Sequence, residues 1–167
     1  NMSEEIYFKM ISDKTASLFS ASAEIGAITV KATKKQRKAL KIFAEKLGVA
    51  FQIKDDLFDV MGSQATLGKP AGFDVKKNML TLPLIHMFET VGDNKKKRLQ
   101  GLLKKYASRK DIRAIDRLIK AHGGIKYATE QMERISKAAM DELNIFPDSQ
   151  YKEALCLAVK FNLERKA

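Results

Sequence analysis

Residues 51–59 (FQIKDDLFD) combine acidic and apolar side chains at spacings that predict one buried helix. Asp59 follows Asp55 by four residues, and Asp56 follows Gln52 by the same interval. Residues three or four apart share a helix face, so these four polar side chains converge while large apolar residues cover the rest. A helix that is apolar on nearly all sides is normally buried. Because unpaired carboxylates are costly to bury, the pattern predicts a cationic partner, such as a divalent metal ion.

Several kinds of carboxylate site compete to explain this pattern. His86 and His122 are isolated and the chain has one cysteine, which disfavours a zinc site. The helical context excludes an EF-hand, and adjacent acids on one helix rarely flank a sugar from both sides as a glycosidase pair does. Oxygen ligands on one face suit Mg²⁺, which keeps waters and bridges to phosphates. A solvated acidic patch is the remaining alternative.

Lysines on both sequence flanks of the acidic segment suit a phosphate-bearing ligand. Lys14 and Thr15 precede a run of apolar and small residues, where a snorkelling surface lysine is the alternative. Lys69 lies in the glycine-containing segment 68–74, which can fold over a phosphate and offer an ammonium group. This segment lacks the glycine spacing and the following Ser or Thr of a Walker loop. A metal ion and two ammonium groups together would hold a diphosphate.

The chain is strongly basic, with a net charge of +11. This charge favours an anionic partner, whether nucleic acid, anionic lipid or a phosphorylated small molecule. Few aromatic residues are interleaved with the basic clusters, and no nucleic-acid-reading motif is present, so we expect no nucleic-acid partner. No apolar run reaches membrane-spanning length, which predicts no membrane span.

The length and cysteine content set further limits. A chain of 167 residues with 45% hydrophobic residues can form one domain with a substantial core. No signal-peptide pattern is present at the start of the sequence. The single cysteine, Cys156, precludes an intrachain disulfide framework and fits a reducing compartment. We therefore expect a cytoplasmic protein.

Helical periodicity along almost the whole chain predicts an all-α protein. Thr33 and Gln36 match a capping box that opens the helix carrying residues 51–59. A loop is predicted over residues 61–73, followed by a helix over 76–89 that Pro83 should kink. The other predicted helical segments are 3–30, two shorter helices between Gly92 and Gly124, 125–143 and 149–165.

Three ordered segments are similar to motifs of one known family, the trans-polyprenyl (isoprenyl) diphosphate synthases. Residues 51–59 resemble its second aspartate-rich motif, and residues 67–74 with 80–85 resemble the segment that follows. Residues 14–19 (KTASLF) resemble the lysine–threonine motif of the preceding helix. The resemblance covers essentially the whole chain. It implies the helical bundle of the isoprenoid (terpenoid) synthase type, with residues 1–167 forming the C-terminal part of a single domain.

The sequence departs from the family pattern in two ways. Asp55-Asp56 is its only Asp-Asp pair, so the family's first aspartate-rich motif, which belongs to an N-terminal half, is absent. The resemblance therefore implies either a C-terminal fragment or a subunit that depends on another chain, and in both cases a chain that is inactive alone. The second departure is Met79, where the family often has a lysine; Lys76 or Lys77 is the candidate replacement.

The resemblance also implies roles for the metal-binding and diphosphate-binding residues. Asp55 is the first candidate for a direct Mg²⁺ ligand, with Asp56 and Asp59 as further ligands or as acceptors from metal-bound water. Lys14 and Lys69 would hold the diphosphate and neutralise its charge as it leaves. The substrates implied are an allylic diphosphate and isopentenyl diphosphate.

The resemblance also implies a role for Thr15 and Gln52. When the diphosphate leaves the allylic substrate, their oxygen lone pairs would stabilise the allylic carbocation that remains. Apolar residues near them, including Ala16, Phe19 and Phe51, would line a tunnel for the growing chain, although ordinary helix packing explains them equally well. A homodimer is also expected. The alternative function is a non-catalytic regulatory partner of such an enzyme.

Overall fold

The computed structural model describes residues 3–61, 80–104 and 109–165, and in these ranges the chain is helical with no strand. The all-α prediction is confirmed for them, while most of the predicted loop, including Lys69, and Lys76, Lys77 and Met79 lie outside the described residues. The elements are α1 (Glu4–Ile11), a π-helical turn (Ser12–Ala16), α2 (Ser17–Thr29), α3 (Lys34–Met61), α4 (Leu82–Thr90), α5 (Asp93–Lys104), α6 (Arg109–Ala121), α7 (Gly124–Glu142), a 3-10 turn (Leu143–Ile145) and α8 (Gln150–Glu164).

The predicted capping box at the start of α3 is confirmed. The Thr33 backbone N–H donates to Gln36 Oε1 at 3.0 Å, and the Gln36 backbone N–H donates to Thr33 Oγ1 at 3.3 Å. These two hydrogen bonds satisfy backbone N–H groups at the start of the helix that have no acceptor within it. The helix continues for 28 residues and contains the whole of residues 51–59.

The predicted kink at Pro83 is wrong. Thr81 is extended, with φ −85° and ψ 163°, and serves as the N-cap of α4, so Pro83 lies in the first turn. A proline in the first turn breaks no hydrogen bond, because the N–H it lacks would have no intrahelical acceptor there. Pro83 therefore helps to start α4.

The turn before α7 depends on two consecutive glycines. Gly123 has a φ of +72°, in the left-handed region that glycine adopts without a steric penalty, and it follows the end of α6. A Cβ on Gly124 would collide with the Pro83 carbonyl oxygen, so glycine is required for this close approach of α7 to α4.

The chain divides into two compact units, and the division crosses α3 between Lys54 and Asp55. The first unit comprises Asn1–Tyr7 and Asp55–Thr129, and the second comprises Phe8–Lys54 and Glu130–Lys166. Each unit has its own apolar core. The first core includes Val60, Leu84, Met87, Phe88, Leu99, Ile112, Ile115 and Ile119, and the second includes Phe43, Ala44, Ala139, Leu143 and Val159.

Among the described residues, no helix is both long enough and apolar enough to cross a lipid bilayer.

Candidate functional site

The lysine–threonine pair lies in a π-helical turn between α1 and α2. This turn, Ser12–Ala16, interrupts what the sequence predicts as one continuous helix. Short π-helical insertions are frequent at functional sites because they change the direction in which side chains project. Nothing in the apolar spacing distinguishes this turn from the α-helix on either side, so sequence reasoning missed it.

In the second unit, this turn is hydrogen-bonded to the helix that carries the acidic segment. The Thr15 hydroxyl donates to Gln52 Oε1 at 2.8 Å, and both residues are partly buried. The structure therefore brings together two of the predicted site residues, although 37 positions separate them in the sequence. Lys14, the neighbour of Thr15, is exposed to solvent.

A close approach of α3 to the π-helical turn makes this contact possible. A Cβ built on Gly48 would lie 2.6 Å from the Ala16 Cα and 2.9 Å from the Ala16 Cβ, closer than real Cβ atoms come. Only glycine therefore fits at position 48. Beside this contact the rings of Phe19 and Phe51 pack with their centroids 5.6 Å apart. Gly48 thus sets the distance across which Thr15 reaches Gln52.

The end of α8 is attached to the same part of α3. The Lys54 ammonium donates to the Leu163 carbonyl oxygen at 2.7 Å, and the Arg165 guanidinium donates to the Phe51 carbonyl oxygen at 3.1 Å. The Arg165 guanidinium also lies over the Phe51 ring, 4.3 Å from its centroid, as in a cation–π contact. Burial lowers the pKa of Lys54, and the nearby Arg165 charge lowers it further. Lys54, although inside the acidic segment, thus binds the C-terminal helix.

In the first unit, Asp56 is buried and hydrogen-bonded to a tyrosine. Its side chain is 6% exposed and accepts a 2.7 Å hydrogen bond from the Tyr7 hydroxyl. Tyr7 is itself fully buried. A buried carboxylate needs such donors, so part of the cost of burying Asp56 is offset by a neutral phenol. Sequence reasoning missed Tyr7, because no local pattern links it to a helix 49 positions away.

Asp55 and Asp59, the other two predicted ligands, are only partly buried. Asp116 of α6 lies near Asp59. Burial raises the pKa of Asp116 to about 6, the Lys120 charge opposes this shift, and the Asp59 charge adds to it. The Oδ1 atom of Asp116 is buried and has no hydrogen-bond partner in the described part of the chain. Sequence reasoning also missed Asp116, because it lies on a different helix from the acidic segment.

Among the described residues, the acidic side chains do not form a closed metal site. In the described ranges, no three His, Cys, Asp or Glu side chains are placed to hold one metal ion. Asp55 and Asp59 nevertheless fit a hard divalent cation chemically, because they are partly exposed carboxylates four residues apart on one helix.

Comparisons with known proteins identify relatives of this chain. The chain is 42% identical to a short chain isoprenyl diphosphate synthase of Methanocaldococcus jannaschii over 99 residues, which are 59% of this chain and 30% of that protein. It is 30% identical to an octaprenyl diphosphate synthase of Haemophilus influenzae over 163 residues, which are 98% of this chain and 50% of that protein.

A solved structure matches the whole chain. The polyprenyl synthase of Caulobacter crescentus, crystallised with calcium and isoprenyl diphosphate, superposes with a TM-score of 0.92 at 30% identity, covering 100% of this chain and 51% of that one. The all-helical isoprenoid synthase fold predicted from the sequence is thereby confirmed. This chain thus spans about half the length of the curated relatives that it matches almost from end to end. Because the profile of the Polyprenyl synthetase family also matches residues 1–121, the chain belongs to that family.

Proposed function

We propose that this chain supplies half of the active site of a prenyltransferase that condenses isopentenyl diphosphate with an allylic diphosphate. The product would be an all-trans polyprenyl diphosphate. The observation that supports this proposal most is the hydrogen bond from Thr15 to Gln52, which attaches the lysine–threonine turn to the helix of the acidic segment. The names of the matched relatives, isoprenyl and octaprenyl diphosphate synthase, favour the same chemistry.

Asp55 and Asp59 would be the direct ligands of Mg²⁺ in this proposal. Their carboxylates are partly exposed, whereas Asp56 is buried and accepts a hydrogen bond from Tyr7. Asp56 would therefore act as an additional acceptor at the base of the site. Bound Mg²⁺ supplies positive charge that favours departure of the diphosphate from the allylic carbon. The calcium ion in the Caulobacter crescentus structure supports a divalent cation in the family.

The remaining site residues would bind the diphosphate and the cation that its departure leaves. Exposed Lys14, together with Lys69, would hold the diphosphate as a fixed positive charge. Thr15 and Gln52 would present oxygen lone pairs to the allylic carbocation after the carbon–oxygen bond breaks. The double bond of isopentenyl diphosphate then forms the new carbon–carbon bond, and a proton is lost to the released diphosphate. No side-chain nucleophile is needed.

Half a site is proposed because this chain spans about half the length of the relatives that it matches. The remaining ligands would come from the half of the fold that this chain does not span, whether it lies in the same polypeptide or on another. Residues 1–167 would then be the C-terminal part of a single synthase domain that forms a homodimer in the cytoplasm.

Replacing Asp55 with alanine tests the proposal. We expect Asp55→Ala to lower prenyl transfer by two or more orders of magnitude, roughly the effect of losing an electrostatic group that acts at the transition state. The assay follows labelled isopentenyl diphosphate with Mg²⁺ and a series of allylic diphosphates, in an assembly that contains both halves of the fold.

Asp141→Ala on α7 is the matched control, because Asp141 is an exposed aspartate in a helix outside the acidic segment. It should leave turnover unchanged. Unchanged turnover in Asp55→Ala would end the assignment of Asp55 as a ligand, and it would favour a regulatory role for the chain.

A further inference from the structure

The turn between α2 and α3, in the second unit, is rich in positive charge. Between Glu24 and Glu45 the sequence contains no acidic residue but five lysines and one arginine. Arg37 and Lys41 are paired with Glu24, at 3.4 Å and 2.8 Å. The other four side chains are exposed and form no ion pair with a described residue: Lys31, Lys34, Lys35 and Lys38.

Lys31 has a backbone conformation that disfavours any side chain. Its φ is +55°, and among the described non-glycine residues it alone has a positive φ. It ends α2 in a Schellman motif, in which the Lys31 N–H donates to the Ile28 carbonyl oxygen at 2.9 Å and the Ala32 N–H donates to the Ala27 carbonyl oxygen at 3.0 Å. Glycine is the usual residue there, because a Cβ is strained in the left-handed region. The turn itself therefore gives no reason for a lysine at this position.

The first turn of α3 also carries charges of the unfavourable sign. It contains Lys34 and Lys35 and no acidic residue. The positive end of the helix dipole lies at the N terminus, where cationic side chains destabilise a helix. Lys38 follows Lys34 by four residues, so these two like charges also repel each other. Local rules broken in this way are expected at functional sites, where stability is given up for another purpose.

An exposed aliphatic residue accompanies these lysines. Val30, the C-cap of α2, directly precedes Lys31 and is 75% exposed. We name Val30 and the four lysines the basic tip. No aromatic residue occurs between Phe19 and Phe43, so no side chain there can stack on the bases of a nucleic acid. Cations beside an exposed aliphatic group suit an anionic membrane surface, where ammonium groups meet lipid phosphates and the aliphatic group enters the interface.

We propose that the basic tip attaches this protein to the surface of an anionic lipid membrane. A cluster of about four to eight basic residues is the pattern that binds such surfaces. Lys38 lies about 21 Å from Gln52 along α3, at ~1.5 Å per residue, so the tip is separate from the proposed prenyl-transfer site. The proposal goes beyond the proposed function and is independent of it, because none of the tip residues takes part in prenyl transfer.

Sedimentation with lipid vesicles tests the attachment. The 167-residue chain is mixed with vesicles of phosphatidylcholine alone, or of phosphatidylcholine with about one third phosphatidylglycerol. We expect binding to the anionic vesicles to be at least about tenfold tighter than to the neutral ones, and to weaken as salt is raised. Equal binding to the two kinds of vesicle would overturn the proposal. Tighter binding to polyuridine RNA than to the anionic vesicles would also overturn it.

Glutamine at all four tip lysines separates the tip from the net charge of the chain. This variant should bind anionic vesicles about 100-fold more weakly or worse, because each lysine near such a surface contributes roughly fivefold. The matched control loses the same charge at four exposed lysines elsewhere: Lys95, Lys97, Lys137 and Lys160. The control should bind less than about fivefold more weakly. Equal losses in the two variants would overturn the proposal, because the attraction would then come from net charge alone.

Val30→Ser tests the aliphatic part of the tip without changing the charge. It should weaken binding to the anionic vesicles by about fivefold, because the side chain no longer enters the apolar part of the interface. Leu157→Ser is the matched control, since Leu157 is an aliphatic residue of α8 that is 54% exposed. That variant should change binding by less than about twofold. An effect at Val30 no larger than the effect at Leu157 would contradict insertion of the tip into the membrane surface.

Discussion

The two ends of the acidic segment in α3 differ in how their partners are specified. At the Gln52 end, in the second unit, the contact is with Thr15, which belongs to a recognisable sequence motif. At the Asp56 end, in the first unit, the contact is with Tyr7, which belongs to none. A residue within a sequence motif can be located from the sequence, whereas a residue that supports a buried carboxylate need only be close to it in space. The difference predicts unequal effects of mutation at the two ends.

The largest effect on stability should come from adding a side chain at Gly48. Gly48→Ala places a methyl group against Ala16 backbone and side-chain atoms, so one helix must shift, and we expect a loss of about 2–3 kcal/mol in the free energy of unfolding. Gly26→Ala is the matched control, because its Cβ meets no atom within 4 Å. That variant should be neutral or more stable by up to about 1 kcal/mol. Chemical denaturation measures both, and equal effects would contradict the packing described for Gly48.

A loss of about 2 kcal/mol should follow Tyr7→Phe. The change removes the hydroxyl that donates to Asp56 and leaves a buried carboxylate without this donor. Tyr151→Phe is the control, because Tyr151 is 74% exposed, and it should change stability by less than about 0.5 kcal/mol. If Tyr7→Phe were as mild as the control, the hydrogen bond would not be what supports Asp56.

A smaller loss, about 1 kcal/mol, should follow Thr15→Val. Valine keeps the shape of the side chain but cannot donate to Gln52. Thr15→Ser, which retains the hydroxyl, should recover most of the loss. In an active assembly, Thr15→Val should also reduce turnover by more than its stability loss explains. A Thr15→Ser variant as damaged as Thr15→Val would show that keeping the hydroxyl is not enough to preserve the contribution of Thr15.

The smallest effect is a dependence of stability on pH that arises from Asp116. Its pKa is about 6 in the folded chain against an ordinary 3.8, so the folded state holds a proton that the unfolded state has already lost. Stability should therefore fall as pH rises from about 4 to about 6 and stay lower above that range. Because Asp116 is partly solvated, the change should be on the order of 1 kcal/mol. Asp116→Asn, unfolded without divalent metal at several pH values, should remove this slope; an unchanged slope would assign it to other groups.

The sequence predicted features that depend on neighbouring residues. Thr33 and Gln36 form the capping box that their spacing predicts. Helix periodicity also located the acidic segment in α3, because residues three and four apart share a face whatever the fold.

Features that depend on tertiary contacts could not be predicted. From the sequence, Pro83 could either kink a longer helix or lie in the first turn of a shorter one. The extended conformation of Thr81 shows that the helix begins just before Pro83. Tyr7 and Asp116 reach the acidic segment from other helices, so no local spacing identifies them. The roles of Lys14, Thr15, Gln52, Lys69 and the three aspartates came from family resemblance, and they remain predictions until activity is measured.

Incorporation of labelled isopentenyl diphosphate into an allylic diphosphate tests the central claim most directly. The reaction is run with Mg²⁺ on the 167-residue chain, on the unmatched half of the Caulobacter crescentus polyprenyl synthase and on their co-purified assembly. We predict transfer by the assembly and none by either part, because under the proposal each part would hold only some of the ligands. Full turnover by the 167-residue chain alone, or an inactive assembly of folded halves, would contradict the claim that this chain carries half of a prenyltransferase site.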